Sequence, residues 1–140
     1  MKGFGLVVFL LVLYADTITL EDLRWKHRVL FVFPPEEQPD SFFWEVSDSL
    51  LVSFSERDLL YFVFEDSVLS NSDYTFEPLY REFLRKKYVL GSKDLCWVLI
   101  GKDGGSKMRR EGSLPDWDEL FGVIDAMPMR VREMGRMVGS

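Results

Sequence analysis

The chain has 140 residues, 47% hydrophobic, 15% aromatic and 29% charged, and its 17 Lys plus Arg against 23 Asp plus Glu give a formal net charge of −6. That length suits one domain with its own core, and so much apolar surface excludes intrinsic disorder. One cysteine excludes an internal disulfide framework, and one histidine excludes the common zinc spacings. The acidic balance excludes nucleic acid as the default partner, because neutralising phosphates needs a basic footprint. Nothing in the composition calls for a cofactor or a metal.

Lys2 precedes an almost unbroken apolar run from Phe4 to Tyr14, followed by Ala15 and Asp16. A positive start, an apolar stretch and a small residue at the cut site read as a secretory signal over residues 1–15, with the folded domain over 16–140. The run is too short to span a bilayer, which needs about 20 apolar residues. Its alternatives are a buried strand and a retained interfacial anchor. Cleavage after Ala15 would remove Lys2 and leave 16 cations against 23 anions. The expected location is then secreted or periplasmic, with no membrane contact after cleavage.

Val29 to Phe33, bounded by Arg28 and by Pro34-Pro35, reads as a buried strand. Asp40 or Ser41 is expected to cap a helix running through Phe43, Trp44, Val46, Leu50 and Leu51. Leu59 to Phe64 reads as a second strand, parallel to the first across that helix. Asn71-Ser72-Asp73 mark a loop, and Phe76, Leu79, Tyr80, Phe83 and Leu84 a second amphipathic helix that ends before Gly91. Leu95 to Ile100 is the third strand. Gly101-Lys102-Asp103-Gly104-Gly105 then joins it to Ser106–Arg110 as a hairpin, because the turn needs residues that tolerate positive φ. Ser113 is expected to cap the last helix, with Pro115 in its first turn and Trp117, Leu120, Phe121 and Ile124 as its packing stripe. Pro128 must interrupt or end that helix, so Met127-Pro128-Met129-Arg130 reads as a bend before a short basic tail.

This order, β-α-β, helix, β-hairpin and helix, predicts an α/β protein with a thioredoxin-like fold around a central mixed β-sheet. Four stretches make the resemblance specific: Leu23 to Phe33, Glu56-Arg57-Asp58-Leu59, Ile100 to Lys107, and Ile124-Asp125-Ala126-Met127-Pro128-Met129-Arg130 with Glu133-Met134. Together they resemble the peroxiredoxin-like domain, long classed as a domain of unknown function. That domain occurs in exported bacterial proteins, in animal sushi-repeat-containing SRPX proteins and in the matrix protein equarin. The resemblance implies a thioredoxin-like fold and an exported location, and it supplies no reaction.

In thioredoxin-like enzymes the reactive thiolate sits just after the first central strand, at a helix N-terminus that lowers its pKa. Here that place is Pro34-Pro35-Glu36-Glu37-Gln38-Pro39-Asp40-Ser41, which contains no cysteine and carries three carboxylates that oppose an anion. Cys96, on the third strand, reads as a small buried hydrophobe, with a sensor thiol or an intermolecular disulfide as the alternatives. His27 lacks companions for a metal site or a base. Glu36-Glu37, Glu65-Asp66 and Asp116-Asp118-Glu119 lack the ligand spacing of a calcium loop.

Gly101 to Lys107 also lacks the spacing and the following helix of a phosphate-binding loop. If Lys102, Lys107 and Arg109 project together, they offer an anion site, with Asp103 beside them. In the tail, Asp125 is expected to hold a guanidinium such as that of Arg130 in a charge-assisted pair that fixes the bend. Lys102, Asp103, Lys107, Arg109, Asp125 and Arg130 are therefore the candidate ligand-site residues. The leading expectation is a binding or structural module without a redox thiol. An oxidoreductase-like enzyme using Cys96 or non-thiol chemistry is the alternative. A further alternative is an extracellular matrix or glycan-binding module, for which an extracellular protein or a sulfated glycan is the candidate partner.

Overall fold

A computed structural model describes residues 16–37, 42 and 44–139. The expected signal segment 1–15, the Asp40 or Ser41 cap and Phe43 lie outside the described residues. The elements are β1 (Asp16–Thr17), α1 (Leu20–Leu23), β2 (Arg28–Phe33), α2 (Asp48–Glu56), β3 (Leu59–Phe64), β4 (Val68–Ser70), β5 (Tyr74–Thr75), α3 (Pro78–Val89), β6 (Cys96–Ile100), β7 (Ser106–Glu111), α4 (Trp117–Asp125) and α5 (Pro128–Gly139).

Five strands form one mixed sheet in the order β4-β3-β2-β6-β7. β2 and β3 are parallel, with Phe31 opposite Phe62, while β6 runs antiparallel to β2 and β7 antiparallel to β6. This is the expected α/β architecture with a central mixed sheet, and it is compatible with a thioredoxin-like fold. β1 pairs separately with β5.

Every residue of β2 is buried, as a strand covered on both faces requires, and alternate side chains enter two different cores. Val29, Phe31 and Phe33 join Phe62, Phe64, Phe76, Leu84, Tyr88 and Val98 under α1 and α3. Leu30 and Val32 join Phe54, Tyr61, Val63, Trp97, Leu120 and Ile124 under α2 and α4. The first core is largely aromatic: the Phe33 and Phe64 rings stack with centroids 4.9 Å apart, and Phe31 meets Phe76 edge-on at 5.9 Å.

Several boundaries differ from expectation. The helix after β2 begins at Asp48, where the Ser47 hydroxyl accepts from the Leu50 amide. Trp44 and Val46 precede it in irregular chain and still pack on the second core. The apolar spacing therefore does not mark one continuous helix, and Leu51 of the expected stripe is exposed. Ser113 does not cap α4. Asp116 does, accepting from the Asp118 and Glu119 amides, while the Ser113 carbonyl accepts from the Trp97 indole 3.0 Å away. The basic segment after the bend is not a tail but the helix α5, which Pro128 opens because an N-terminal proline costs no helical hydrogen bond.

The edge strand β4 was not expected. It covers only Phe62 to Phe64 of β3, and the Asn71 amide completes the edge by accepting from Tyr61 N–H and donating to the Leu59 carbonyl. A polar loop residue here does the work of a strand.

Phe31 sits fully buried among five aromatic rings. Phe31→Ala should cost about 3–5 kcal/mol, measured as a lower midpoint in urea denaturation with an unchanged slope.

Candidate functional site

The amino ends of β2 and β3 gather charges that soluble proteins seldom bury. Arg28, the first residue of β2, is 1% exposed, Lys102 is 8% exposed and Arg130 is 6% exposed. Each is held by carboxylates or carbonyls from a different part of the chain. The Arg28 guanidinium forks onto Glu133 of α5, with Nη1 3.2 Å from Oε2 and Nη2 3.3 Å from Oε1. Lys102 Nζ donates to Glu133 as well, and to Asp58 at 2.8 Å. Asp125, at the end of α4, takes a second fork from Arg57, at 3.1 and 2.9 Å, and accepts from Arg130 Nε at 3.0 Å. Arg130 Nη1 lies 3.8 Å from Glu133, which joins the two halves into one network.

The network also finishes α2. A helix leaves its last carbonyls without intrahelical partners, and that end carries partial negative charge. Arg57 Nη1 donates to the Ser53 carbonyl at 3.0 Å, Arg130 Nη1 to the Glu56 carbonyl at 2.8 Å and Arg28 Nη1 to the Arg57 carbonyl at 2.8 Å. Three guanidiniums thus cap one helix, and Arg57 additionally stacks over the Phe121 ring at 4.4 Å.

Burial alone would raise the pKa of Asp125, yet hydrogen bonds and charge from Arg57 and Arg130 outweigh it and hold the carboxyl below its ordinary value. Glu133 behaves the same way: burial pushes upward, and Lys102 and Arg28 push further downward. Both groups are therefore ionised and paired near neutral pH. Four cations (Arg28, Arg57, Lys102, Arg130) face three carboxylates (Asp58, Asp125, Glu133), an arrangement that clamps α4 and α5 to the sheet.

Of the six residues singled out from sequence, Lys102, Asp125 and Arg130 meet here. Asp103 and Lys107 pair with each other at 2.8 Å across the hairpin tip, where the Lys107 ammonium and the Gly105 N–H hold Asp103 below the usual carboxylate range. Arg109 lies apart, donating to the Tyr88 and Val89 carbonyls at the end of α3 and to Glu111. Lys102, Lys107 and Arg109 do not converge into one anion site. The turn itself favours glycine at Gly104, which has φ +84°.

Arg28, Arg57, Asp58 and Glu133 were missed as site residues. The only signal for them was that all four lie within the stretches that carry the family resemblance.

At the opposite pole, the carboxyl ends of β2 and β3 open into a cleft of about 740 Å³ lined by Pro34, Pro35, Glu36, Phe42, Phe64, Glu65, Asp66, Ser67 and Arg85. The cleft lies between the Pro34-Pro35 exit of β2 and the tight turn Glu65 to Ser67 that leads from β3 into β4. Arg85 is its cation, 5.6 Å over the Phe33 ring. Cys96 is fully buried in the sheet, its Sγ 3.9 Å from the Tyr88 carbonyl. Burial pushes its thiol pKa up, and Arg109 offsets only part of that.

Fold and site together define a mixed-sheet α/β domain with an ionic clamp at one pole and an open cleft at the other. The sequence model of a domain of unknown function, DUF4174, matches residues 19–133, and the chain belongs to that family. No curated protein matches the chain.

Because Asp125 and Glu133 have lowered folded-state pKa values, their stabilisation is complete above the unfolded carboxyl values of roughly 4 and is lost as pH falls through the folded ones. The urea midpoint should hold from neutrality to about pH 5 and then decline, with a shallower decline in Asp125→Asn and Glu133→Gln. A midpoint that stays flat down to pH 3 would contradict the clamp.

Glu133→Ala leaves Arg28 and Lys102 buried with too few anions and should cost about 3–5 kcal/mol. Arg130→Ala leaves Asp125 its Arg57 fork and should cost less, about 1–3 kcal/mol. Equilibrium unfolding of the two variants checks that order.

Proposed function

We propose that this chain is an exported thioredoxin-like domain that acts as a binding or structural module and not as a thiol oxidoreductase. The observation that carries this reading is the chemistry at the carboxyl end of β2. Residues 34–41 contain no cysteine there, and the adjoining cleft is lined by Glu36, Glu65 and Asp66. Against the one cation there, Arg85, these three carboxylates leave a net opposition to a thiolate or peroxide anion. The buried Cys96, with its raised pKa, is a poor nucleophile, since the thiolate and not the thiol reacts.

The pairing of the hairpin and α5 cations supports a structural use for them. A guanidinium already committed to a carboxylate fork and a helix carbonyl has few donors left for a ligand. The cleft, an open space with Glu36, Glu65, Asp66, Ser67 and Arg85 in its lining, is the better place for a bound molecule. Export rests on Lys2, the apolar stretch Phe4 to Tyr14, and Ala15.

Purified protein and its Cys96→Ser variant should both be blank in peroxide-consumption and insulin-reduction assays. Cys96 should alkylate slowly in the native protein and rapidly once it is unfolded. Any Cys96-dependent turnover overturns the module reading. Export is checked separately by N-terminal sequencing of the protein recovered outside the cytosol, with Asp16 expected as the first residue.

A further inference from the structure

Helix α3 buries Leu84, Tyr88 and Val89 on one side and presents an unusual line of side chains on the other. Leu79 is 83% exposed, Phe83 53% and, at the C-cap, Leu90 70%. A step of four residues brings Leu79 and Phe83 to one stripe of the helix, and Leu90, left-handed at φ +56°, adds a third exposed apolar side chain just past its end. Single exposed apolar residues need no explanation, whereas a group on one helix does.

The charges around the stripe run against the rest of the protein. Arg81 and Arg85 of α3 are half-buried toward Phe64 and Glu65, so the cations beside the stripe are Lys86 and Lys87, in a chain whose net charge is −6. Lys86 and Lys87, both exposed, follow Phe83 by three and four residues and so flank the apolar line on either side. Among the described residues neither makes an ion pair. Lys87 Nζ rests 5.9 Å from the Phe83 ring and 5.4 Å from that of Tyr88.

We propose that this face of α3 docks on an anionic lipid surface. The stripe stands out from a convex helix. A fluid interface accepts protruding Leu and Phe side chains without a matching groove, while lysine stems lie along apolar surface and reach charged headgroups. The local positive charge supplies the complementarity that the acidic remainder of the chain lacks.

Co-sedimentation of the full chain with vesicles tests this. Vesicles of two parts phosphatidylcholine to one part phosphatidylglycerol should bind the protein more tightly than pure phosphatidylcholine, and added salt should reduce the difference. Lys2 and the terminal amine beside the apolar stretch Phe4 to Tyr14 also favour the anionic vesicles, so the share of α3 is read from variants of α3 that leave that stretch intact. Lys86→Glu/Lys87→Glu should weaken binding to the anionic vesicles at least about tenfold. Leu79→Ser/Phe83→Ser should do the same, with unchanged circular dichroism and melting temperature in both variants.

Equal binding to the two vesicles, or variants that bind like the parent, overturns the proposal. A parent dimer in size-exclusion chromatography that Leu79→Ser/Phe83→Ser splits, without vesicle binding, also overturns it and assigns the face to a contact between copies.

Discussion

A guanidinium at the first position of the central strand sets the terms for the rest of the molecule. Arg28 is 1% exposed, and a buried cation is tolerated only when it is paired; its Nη1 and Nη2 are taken up, while its Nε has no hydrogen-bond partner. The partner is Glu133, 105 residues further along the chain. That requirement brings α5 back over the amino ends of the parallel strands, and with α5 come Arg130 and, through Asp125, the end of α4. Lys102 closes the arrangement from the far side of β6 by sharing the same Glu133 carboxylate. The specificity lies in the length of chain that one carboxylate ties together.

The two poles of the sheet consequently have opposite character. At the amino ends of β2 and β3, charges are matched, hydrogen-bonded and largely withdrawn from water, and they cap the C-terminus of α2. At the carboxyl ends the chain leaves β2 through Pro34-Pro35 and turns from β3 into β4 through Glu65 to Ser67, and between these two exits lies a cleft lined by carboxylates and one arginine. A fold with its rigidity at one end and its open space at the other has a natural division of labour. The clamp fixes the helices, and the cleft and the outer face of α3 remain available for contact.

The strands were legible because β2, β3 and β6 are short apolar runs with clear breakers at their ends, and full burial on both faces leaves no other reading for Val29 to Phe33. The hairpin was legible from Asp103-Gly104. Legibility failed where side chains replace regular structure. Asn71 finishes the edge of β3 without any strand signal, and Trp44 and Val46 imitate helical spacing while packing from irregular chain. Arg28 read as the polar boundary of a strand, since nothing local says that a carboxylate more than a hundred residues away will neutralise it. Asp125 and Arg130 were recognisable as a pair only because they are five residues apart.

Composition, hydrophobic periodicity and turn chemistry by themselves determined an α/β chain with a parallel pair, a hairpin and helices on a mixed sheet. They also determined that no cysteine stands at the end of the first central strand. These are properties of neighbours in sequence, and local spacing encodes them. Only the tertiary structure decided which cations are spent and which remain. Charges far apart in the chain pair according to distances that folding sets, so Lys102, Arg109 and Arg130 became internal partners while the lysines of α3 stayed on the surface beside Leu79 and Phe83.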